Sequence, residues 1–236
     1  IVRFASALVG QRRGSLAIVA ILVAMILGGI SGSGPADSAA VGAVMLPSML
    51  KAGYPRSFTA GVIAAAGSTD ILIPPSIAFV IYSLLVPQAS VPALFAAGMI
   101  PGILSGLTLI LVAWWLSVRN NFEAAPAEPR PPFWQSLKEA GWGLLAPVII
   151  LGGMRSGFFT PTEAAVVAVF YGLLVGMVIY RTLRWKDVYQ VLIESAEISS
   201  VILTVVALAS VFAWGSNTLG TLDHPAATLL GTGLSE

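Results

Sequence analysis

Two short segments place hydroxyl, carboxyl, glycine and proline residues inside otherwise apolar runs. The first reads Gly-Gly-Ile-Ser-Gly-Ser-Gly-Pro-Ala-Asp at residues 28–37, and the second comprises residues 67–70 and 73–76. Unwound backbone carbonyls and hydroxyls coordinate small cations such as Na⁺, whereas the start of a helix attracts an anion. The two segments therefore favour a site for a small anion together with a cation.

The candidate residues fall into three groups. The candidate Na⁺ ligands are hydroxyl or carboxyl side chains close to the two segments: Ser31, Ser33, Ser68, Thr69 and Asp70. The candidate anion contacts lie where two half-helices are expected to begin: Ser33, Gly34, Pro74, Pro75 and Ser76. Two carboxylates, Asp37 and Glu163, are predicted to cap helix starts, where a negative charge meets the positive end of the helix dipole.

The apolar runs on either side of the first segment predict a hairpin within a membrane. Each run is about a dozen residues long, whereas a helix needs about 20 residues to cross the hydrocarbon core. Irregular backbone at that depth must be buried in protein or line a wet cavity. We therefore expect residues 14–50 to enter the membrane, turn near residues 31–36 and return.

The composition predicts an all-α polytopic membrane protein. The chain has 236 residues, of which 57% are hydrophobic and 10% charged, and its mean hydropathy is +0.90. Soluble domains carry about 25% charged residues. The net charge of +1 argues against nucleic acid binding, and the absence of cysteine excludes a thiolate metal site.

The charged residues predict which side of the membrane each loop faces. A broken helix at 57–86 and a helix at 93–118 should follow the hairpin, and a cytoplasmic loop at 119–140 should come next. On this path eleven of the twelve Lys and Arg residues lie on one side, and only Arg155 lies opposite. The positive-inside rule makes the crowded side cytoplasmic.

The chain resembles the large (M, DctM-type) membrane subunit of TRAP transporters, the tripartite ATP-independent periplasmic family. The resemblance rests on four stretches in order: GGISGSGPADSAAVGAVMLPSMLKAGYPR (28–56), ILIPPSIAFVIYSLL (71–85), LFAAGMIPGIL (94–104) and GFFTPTEAAVVAVFYGLLVG (157–176). It implies an elevator-type secondary transporter of the ion-transporter superfamily, built from inverted repeats and importing small organic acids such as C4-dicarboxylates, sialic or sugar acids and keto acids.

The resemblance also implies a domain organisation and partners. Residues 1–118 would form the first-repeat transport region, and 141–236 would open a second inverted repeat that stops before its own hairpin. A small membrane subunit and a periplasmic substrate-binding protein would be partners beside the lipid bilayer. Na⁺ would be the coupling ion, with no other cofactor. The location would be the cytoplasmic (inner) membrane of a bacterium or archaeon.

Two other classes of function remain open from the residues alone. The stretch from Gly29 to Gly32 matches a GxSG pattern of intramembrane serine proteases, whose nucleophile needs a nearby base, and the only histidine is His224. Asp37 and Asp70 would form an aspartyl protease dyad if their carboxylates shared a proton. A channel with re-entrant half-helices is the third interpretation, but a carrier without enzymatic activity is the expectation.

Overall fold

The computed structural model describes residues 1–86, 88–122 and 131–220, and this part of the chain contains helices but no strand. The helices are α1 (Val2–Val9), α2 (Ser15–Ser31), α3 (Gly34–Lys51), α4 (Arg56–Asp70), α5 (Ile77–Leu85), α6 (Val91–Arg119), α7 (Phe133–Arg155), α8 (Pro161–Leu174) and α9 (Trp185–Thr218). A π-helical segment, Val175–Ile179, continues α8. His224 and residues 123–130 of the predicted loop lie outside the described residues.

Within the described residues, four helices are long and apolar enough to cross a membrane. They are Val91–Arg119, Phe133–Arg155, Pro161–Ile179 and Trp185–Thr218. The last of these continues as a single helix, because no glycine or proline lies between Trp185 and Trp214. The all-helical, multi-pass membrane class is therefore confirmed.

The predicted hairpin consists of α2 and α3, joined by only Gly32 and Ser33. The two helices have 17 and 18 residues, longer than the predicted dozen. At about 1.5 Å per residue they measure roughly 25 Å and 27 Å, just short of a hydrocarbon core of about 30 Å. The re-entrant path stays a prediction.

The predicted broken helix consists of α4 and α5, but its interruption is shorter than expected. Residues 67–70 form the last turn of α4, and only residues 71–76 are non-helical. The proline ring clashes with the carbonyl four residues earlier, and Pro74 is four residues after Asp70. The helix therefore ends at Asp70 rather than before Gly67.

The described chain forms two compact units, with the boundary after Tyr180. The first runs from Ile1 to Tyr180, and its main core lies among α1, α2, α3, α4 and α6, where Ile21, Met45 and Met49 are fully enclosed. A smaller core joins α6, α7 and α8 through Phe95, Ile150 and Ala164. The second unit begins at Arg181 and contains α9. The sequence-based division at 118 and 141 concerns repeat origin and stays a prediction.

Candidate functional site

The tip of the hairpin holds a short chain of hydrogen bonds. The Ser31 hydroxyl donates to Asp37 Oδ2 at 2.6 Å, and the Ser33 backbone N–H donates to Ser31 Oγ at 3.1 Å. Ser33 occupies the N-cap position of α3, but its side chain makes no capping bond. Asp37 is buried in the first turn of α3, as the sequence predicted for its position. Ser31 therefore ties this carboxylate to the tip.

The end of α4 contains a buried carboxylate without a hydrogen-bond partner. Asp70 is fully buried, and neither of its carboxylate oxygens has a partner within the described residues. The Ser76 hydroxyl, across the break, is buried and lacks a partner in the same way. Because a buried charge without a partner is costly, these oxygens fit the ligand set of a cation.

Ser68 and Thr69 differ from the sequence-based expectation that they lie in unwound backbone. Both lie in the last turn of α4. Their hydroxyls donate back to carbonyls three residues earlier, Ser68 to Ala65 and Thr69 to Ala66, each at 2.7 Å. This local bonding is the usual behaviour of hydroxyl side chains inside a helix. Their donor hydrogens are thus already used within α4.

The hairpin tip and the break in the second helix contact each other directly. The Ile77 backbone N–H donates to the Gly32 carbonyl at 3.3 Å. Gly32 has a positive φ of 65°, and a Cβ there would meet the Pro75 carbonyl oxygen and lie 3.0 Å from Ser76 Cα. One turn earlier, a Cβ on Gly28 would lie 2.7 Å from Asp70 Cβ. The last turn of α2 therefore lies against both ends of the break.

A second pair of glycines brings α3 and α4 into backbone contact. A Cβ on Gly34 would meet the Gly67 carbonyl oxygen, and a Cβ on Gly67 would meet the Ser38 hydroxyl. The same Cβ on Gly67 would lie 2.8 Å from the Gly34 carbonyl oxygen. Glycine is required on both sides because the two backbones leave no room for a side chain. The start of α3 is thereby held against the last turn of α4.

The third neighbour of the break is α6, which the sequence analysis did not connect to the site. A Cβ on Gly98 would lie 2.7 Å from the Leu72 carbonyl oxygen, and one on Gly102 would lie 2.9 Å from Ile73 Cγ1. These glycines, with Gly106, recur every four residues on one helix face. The small-xxx-small spacing that marks close helix packing in membranes was the signal that could have found them.

The structure thus gathers most of the predicted residues into one region. The members near the tip are Ser31, Ser33, Gly34 and Asp37; those at the break are Asp70, Pro74, Pro75 and Ser76. Glu163 lies elsewhere, in the first turn of α8, where it forms a capping box with Thr160. Its carboxylate accepts hydrogen bonds from the Thr160 backbone N–H and hydroxyl, both at 2.8 Å.

Among the described residues, the region shows none of the hydrogen bonds that the two protease interpretations require. In the described residues Ser31 donates to a carboxylate and not to a histidine. Neither Asp70 oxygen takes part in a hydrogen bond there, so Asp37 and Asp70 do not share a proton. The arrangement instead joins two interrupted helices around buried oxygens, with apolar helices long enough to cross a membrane. Such features indicate a multi-pass membrane protein in which some helices are interrupted.

The chain belongs to the DctM component family of tripartite ATP-independent periplasmic (TRAP) transporters, whose sequence profile matches residues 1–235. The chain is 44% identical over 207 residues to the 2,3-diketo-L-gulonate TRAP transporter large permease of Escherichia coli, covering 88% of this chain and 48% of that protein. It is 43% identical over 213 residues to the C4-dicarboxylate large permease of Pseudomonas aeruginosa, covering 90% and 50%. The sialic acid large permease of Vibrio cholerae is 39% identical over 214 residues, covering 91% and 50%. The chain thus spans about half the length of the curated relatives it matches.

Proposed function

We propose that the chain forms part of the large membrane subunit of a Na⁺-coupled transporter that imports small organic acids by an elevator mechanism. Membership of the DctM family supports the transport of a solute across a membrane. The relatives named for 2,3-diketo-L-gulonate, C4-dicarboxylate and sialic acid all carry organic acids. The observation that carries the proposal is the contact between the hairpin tip and the break after α4, where oxygens that have no partner in the described part of the chain meet two helix starts.

The cation half of the proposal rests on the buried oxygens. Asp70 would supply a carboxylate and Ser76 a hydroxyl, and neither group is satisfied by another described residue. Ser31 and Ser33 at the tip, and Ser68 and Thr69 in α4, add hydroxyl oxygens whose lone pairs still accept or coordinate. A bound Na⁺ would supply the positive charge that this region otherwise lacks. Asp37, held by Ser31, would contribute charge from the opposite side.

The anion half of the proposal rests on two helix starts. α3 begins at Gly34 and α5 begins at Ile77, and neither start has a side-chain cap. The Ile77 backbone N–H donates a hydrogen bond to the Gly32 carbonyl at the hairpin tip, which brings the start of α5 next to the start of α3. The positive ends of the helix dipoles would attract the carboxylate of an organic acid. Ser33, Gly34, Pro74, Pro75 and Ser76 would line that contact.

The movement in the proposal rests on the close packing around the break. Glycine-mediated contacts join α2, α3, α4 and α6, so these helices would shift as one body and not slide past one another. In the elevator mechanism such a body would carry the site across the membrane. We further propose the cytoplasmic (inner) membrane of a bacterium or archaeon as the location, and a small membrane subunit and a periplasmic substrate-binding protein as partners.

Uptake by the reconstituted full-length transporter, with both partner subunits, tests the proposal. The liposomes would receive a Na⁺ gradient and a panel of radiolabelled dicarboxylates, sugar acids and keto acids. We expect uptake of at least one acid that requires Na⁺, and we expect Asp70→Asn to reduce it more than Asp37→Asn. Asn is a good residue near a helix start, so the latter change keeps part of the function of Asp37.

A matched pair of serine variants tests the hydroxyl ligands. Ser68→Ala and Ser200→Ala both remove a hydroxyl that donates to a carbonyl three residues earlier in its helix. Only Ser68→Ala should raise the Na⁺ concentration needed for half-maximal uptake, because Ser200 is not among the candidate ligands. Peptide cleavage that both aspartate variants abolish, or steady ion conductance, would refute the carrier. Uptake that is independent of Na⁺ would refute the coupling alone.

A further inference from the structure

The opposite end of the first unit, away from the site, brings four chain segments together. Arg13 Nη1 donates to Asn121 Oδ1 at 2.7 Å, which joins the segment before α2 to the segment after α6. The aromatic rings of Tyr54, Phe58 and Phe122 contact one another, with centroids 5.1–5.9 Å apart. The starts of α2 and α4 and the ends of α3 and α6 therefore converge at this end.

The cations at this end fall into two groups with different electrostatic surroundings. Lys51 and Arg119 lie in the last turns of α3 and α6, where a positive charge complements the helix dipole. Arg12 and Arg13 precede α2, and Arg56 is the first residue of α4, where a positive charge is unfavourable. The helix dipoles thus stabilise the positive charges of Lys51 and Arg119 and disfavour those of Arg12, Arg13 and Arg56.

Nothing in the described chain neutralises the second group. The first turns of α2 and α4 contain no acidic residue, and neither helix start has a side-chain cap. In the described residues no carboxylate lies within ion-pair distance of Arg12, Arg13 or Arg56, all of which are exposed. Three arginines and two helix N-termini therefore present positive charge to the same region, with no counterion among residues 1–86, 88–122 and 131–220.

The position of this region relative to the membrane indicates the missing anion. Trp114 and Trp115, in the last turns of α6, are about half exposed, and the Arg119 guanidinium lies 5.1 Å from the Trp115 ring centroid. A Cβ on Gly14, at the start of α2, would lie 3.5 Å from Trp114 Cδ1. Exposed tryptophans at the end of a membrane helix lie at the level of the lipid headgroups. The arginines would therefore lie at the depth of the headgroup phosphates.

We propose that Arg12, Arg13 and Arg56, with the N-terminal ends of α2 and α4, bind the headgroup of an anionic phospholipid. The phosphate would occupy the space in front of the two helix starts, where backbone N–H groups and guanidinium groups both act as donors. Because α2 begins and α3 ends at this surface, the headgroup would hold the base of the hairpin that carries the site at its other end. This binding requires the membrane location but not the identity of the transported acid.

The test measures phosphatidylglycerol binding by the purified full-length transporter complex. The complex is delipidated in a neutral detergent and titrated with phosphatidylglycerol in mixed micelles at low ionic strength, and bound lipid is counted by native mass spectrometry. We expect a triple variant, Arg12→Gln, Arg13→Gln and Arg56→Gln, to lose affinity by about fivefold for each cation removed. Phosphatidylcholine should bind neither protein specifically, and 0.5 M NaCl should weaken phosphatidylglycerol binding.

The matched control is the double variant Lys51→Gln and Arg119→Gln, which removes cations at the same end of the unit from helix C-termini. This double variant should change the affinity for phosphatidylglycerol by less than twofold. Equal losses of affinity per cation in the two variants would indicate only general electrostatic attraction to the lipid and would overturn the proposal. Binding of inorganic phosphate with the affinity of the lipid would also overturn it, because a free anion would then be the ligand.

Discussion

The contact between the hairpin tip and the break makes Gly32→Ala the most informative single change. Gly32 has a φ of 65°, which alanine adopts only with strain, and its Cβ would meet the Pro75 carbonyl oxygen. Gly53 is the matched control, because its φ is 91° but nothing lies within 4 Å of its Cβ. The two substitutions share the backbone strain, and only Gly32→Ala adds the overlap.

The expected magnitudes follow from these two terms. A left-handed conformation costs a residue with a side chain about 1–2 kcal/mol, and this cost applies at both positions. Overlap with a packed backbone adds about 1–3 kcal/mol, since a carbonyl group cannot rotate aside as a side chain does. We therefore expect the free energy of unfolding to fall by about 1–2 kcal/mol for Gly53→Ala and by about 2–5 kcal/mol for Gly32→Ala.

Thermal unfolding in one detergent and Na⁺-driven uptake measure the two consequences. The melting temperature of Gly32→Ala should lie at least about 2 °C below that of Gly53→Ala. Uptake per folded molecule should fall only in Gly32→Ala, because the overlap displaces Ser76 and the start of α5. Equal melting temperatures and equal uptake in the two variants would show that the tip and the break are not in contact, and would refute the reasoning.

The remaining predictions concern other helix contacts. Gly67→Ala should destabilise the protein by about 1–3 kcal/mol, because its Cβ would overlap Ser38. Gly61→Ala, in the same helix but with nothing near its Cβ, should be neutral or stabilising by up to about 1 kcal/mol. Chemical unfolding compares the two variants, and equal effects would contradict the packing of α3 on α4. Thr160→Ala should lower the free energy of unfolding by about 1 kcal/mol, because it removes the side-chain cap of α8, and Thr160→Ser should keep that cap. A melting temperature that Thr160→Ala leaves unchanged would mean that the capping box contributes nothing to stability.

The sequence predicted the interrupted helices better than the exact residues that interrupt them. Gly32 and Ser33 do separate α2 from α3, within the predicted turn at 31–36, because a left-handed glycine ends the first helix. The break near Pro74 and Pro75 was also predicted. Its start was wrong, since glycine and hydroxyl residues at 67–70 are tolerated in a helix that packs tightly on both sides.

The partnerships among the site residues could not be read from the sequence. Ser31 and Ser33 have the same chemistry, yet only Ser31 reaches the carboxylate of Asp37. Ser68, Thr69 and Asp70 are consecutive, yet the two hydroxyls bond within α4 and the carboxylate is left without a partner in the described structure. These outcomes depend on helix rotation and on neighbours distant in sequence, which local patterns do not encode.

The π-helical segment after α8 determines where the chain could lose one residue. The Tyr180 N–H bonds the Val175 carbonyl, five residues earlier, so this turn accommodates one residue more than an α-helical turn. Tyr171 and Tyr180 both donate to carbonyls of α7, at Trp142 and Glu139, although nine α-helical steps would rotate them about 180° apart. Because the π-helical turn takes up one residue, Tyr171 and Tyr180 are separated by about 80° around the helix axis. Both hydroxyls therefore reach the same partner helix. Evolution could therefore delete one residue within Val175–Ile179 without disturbing either flank, whereas a deletion between Glu139 and Trp142 would rotate one acceptor away from its tyrosine.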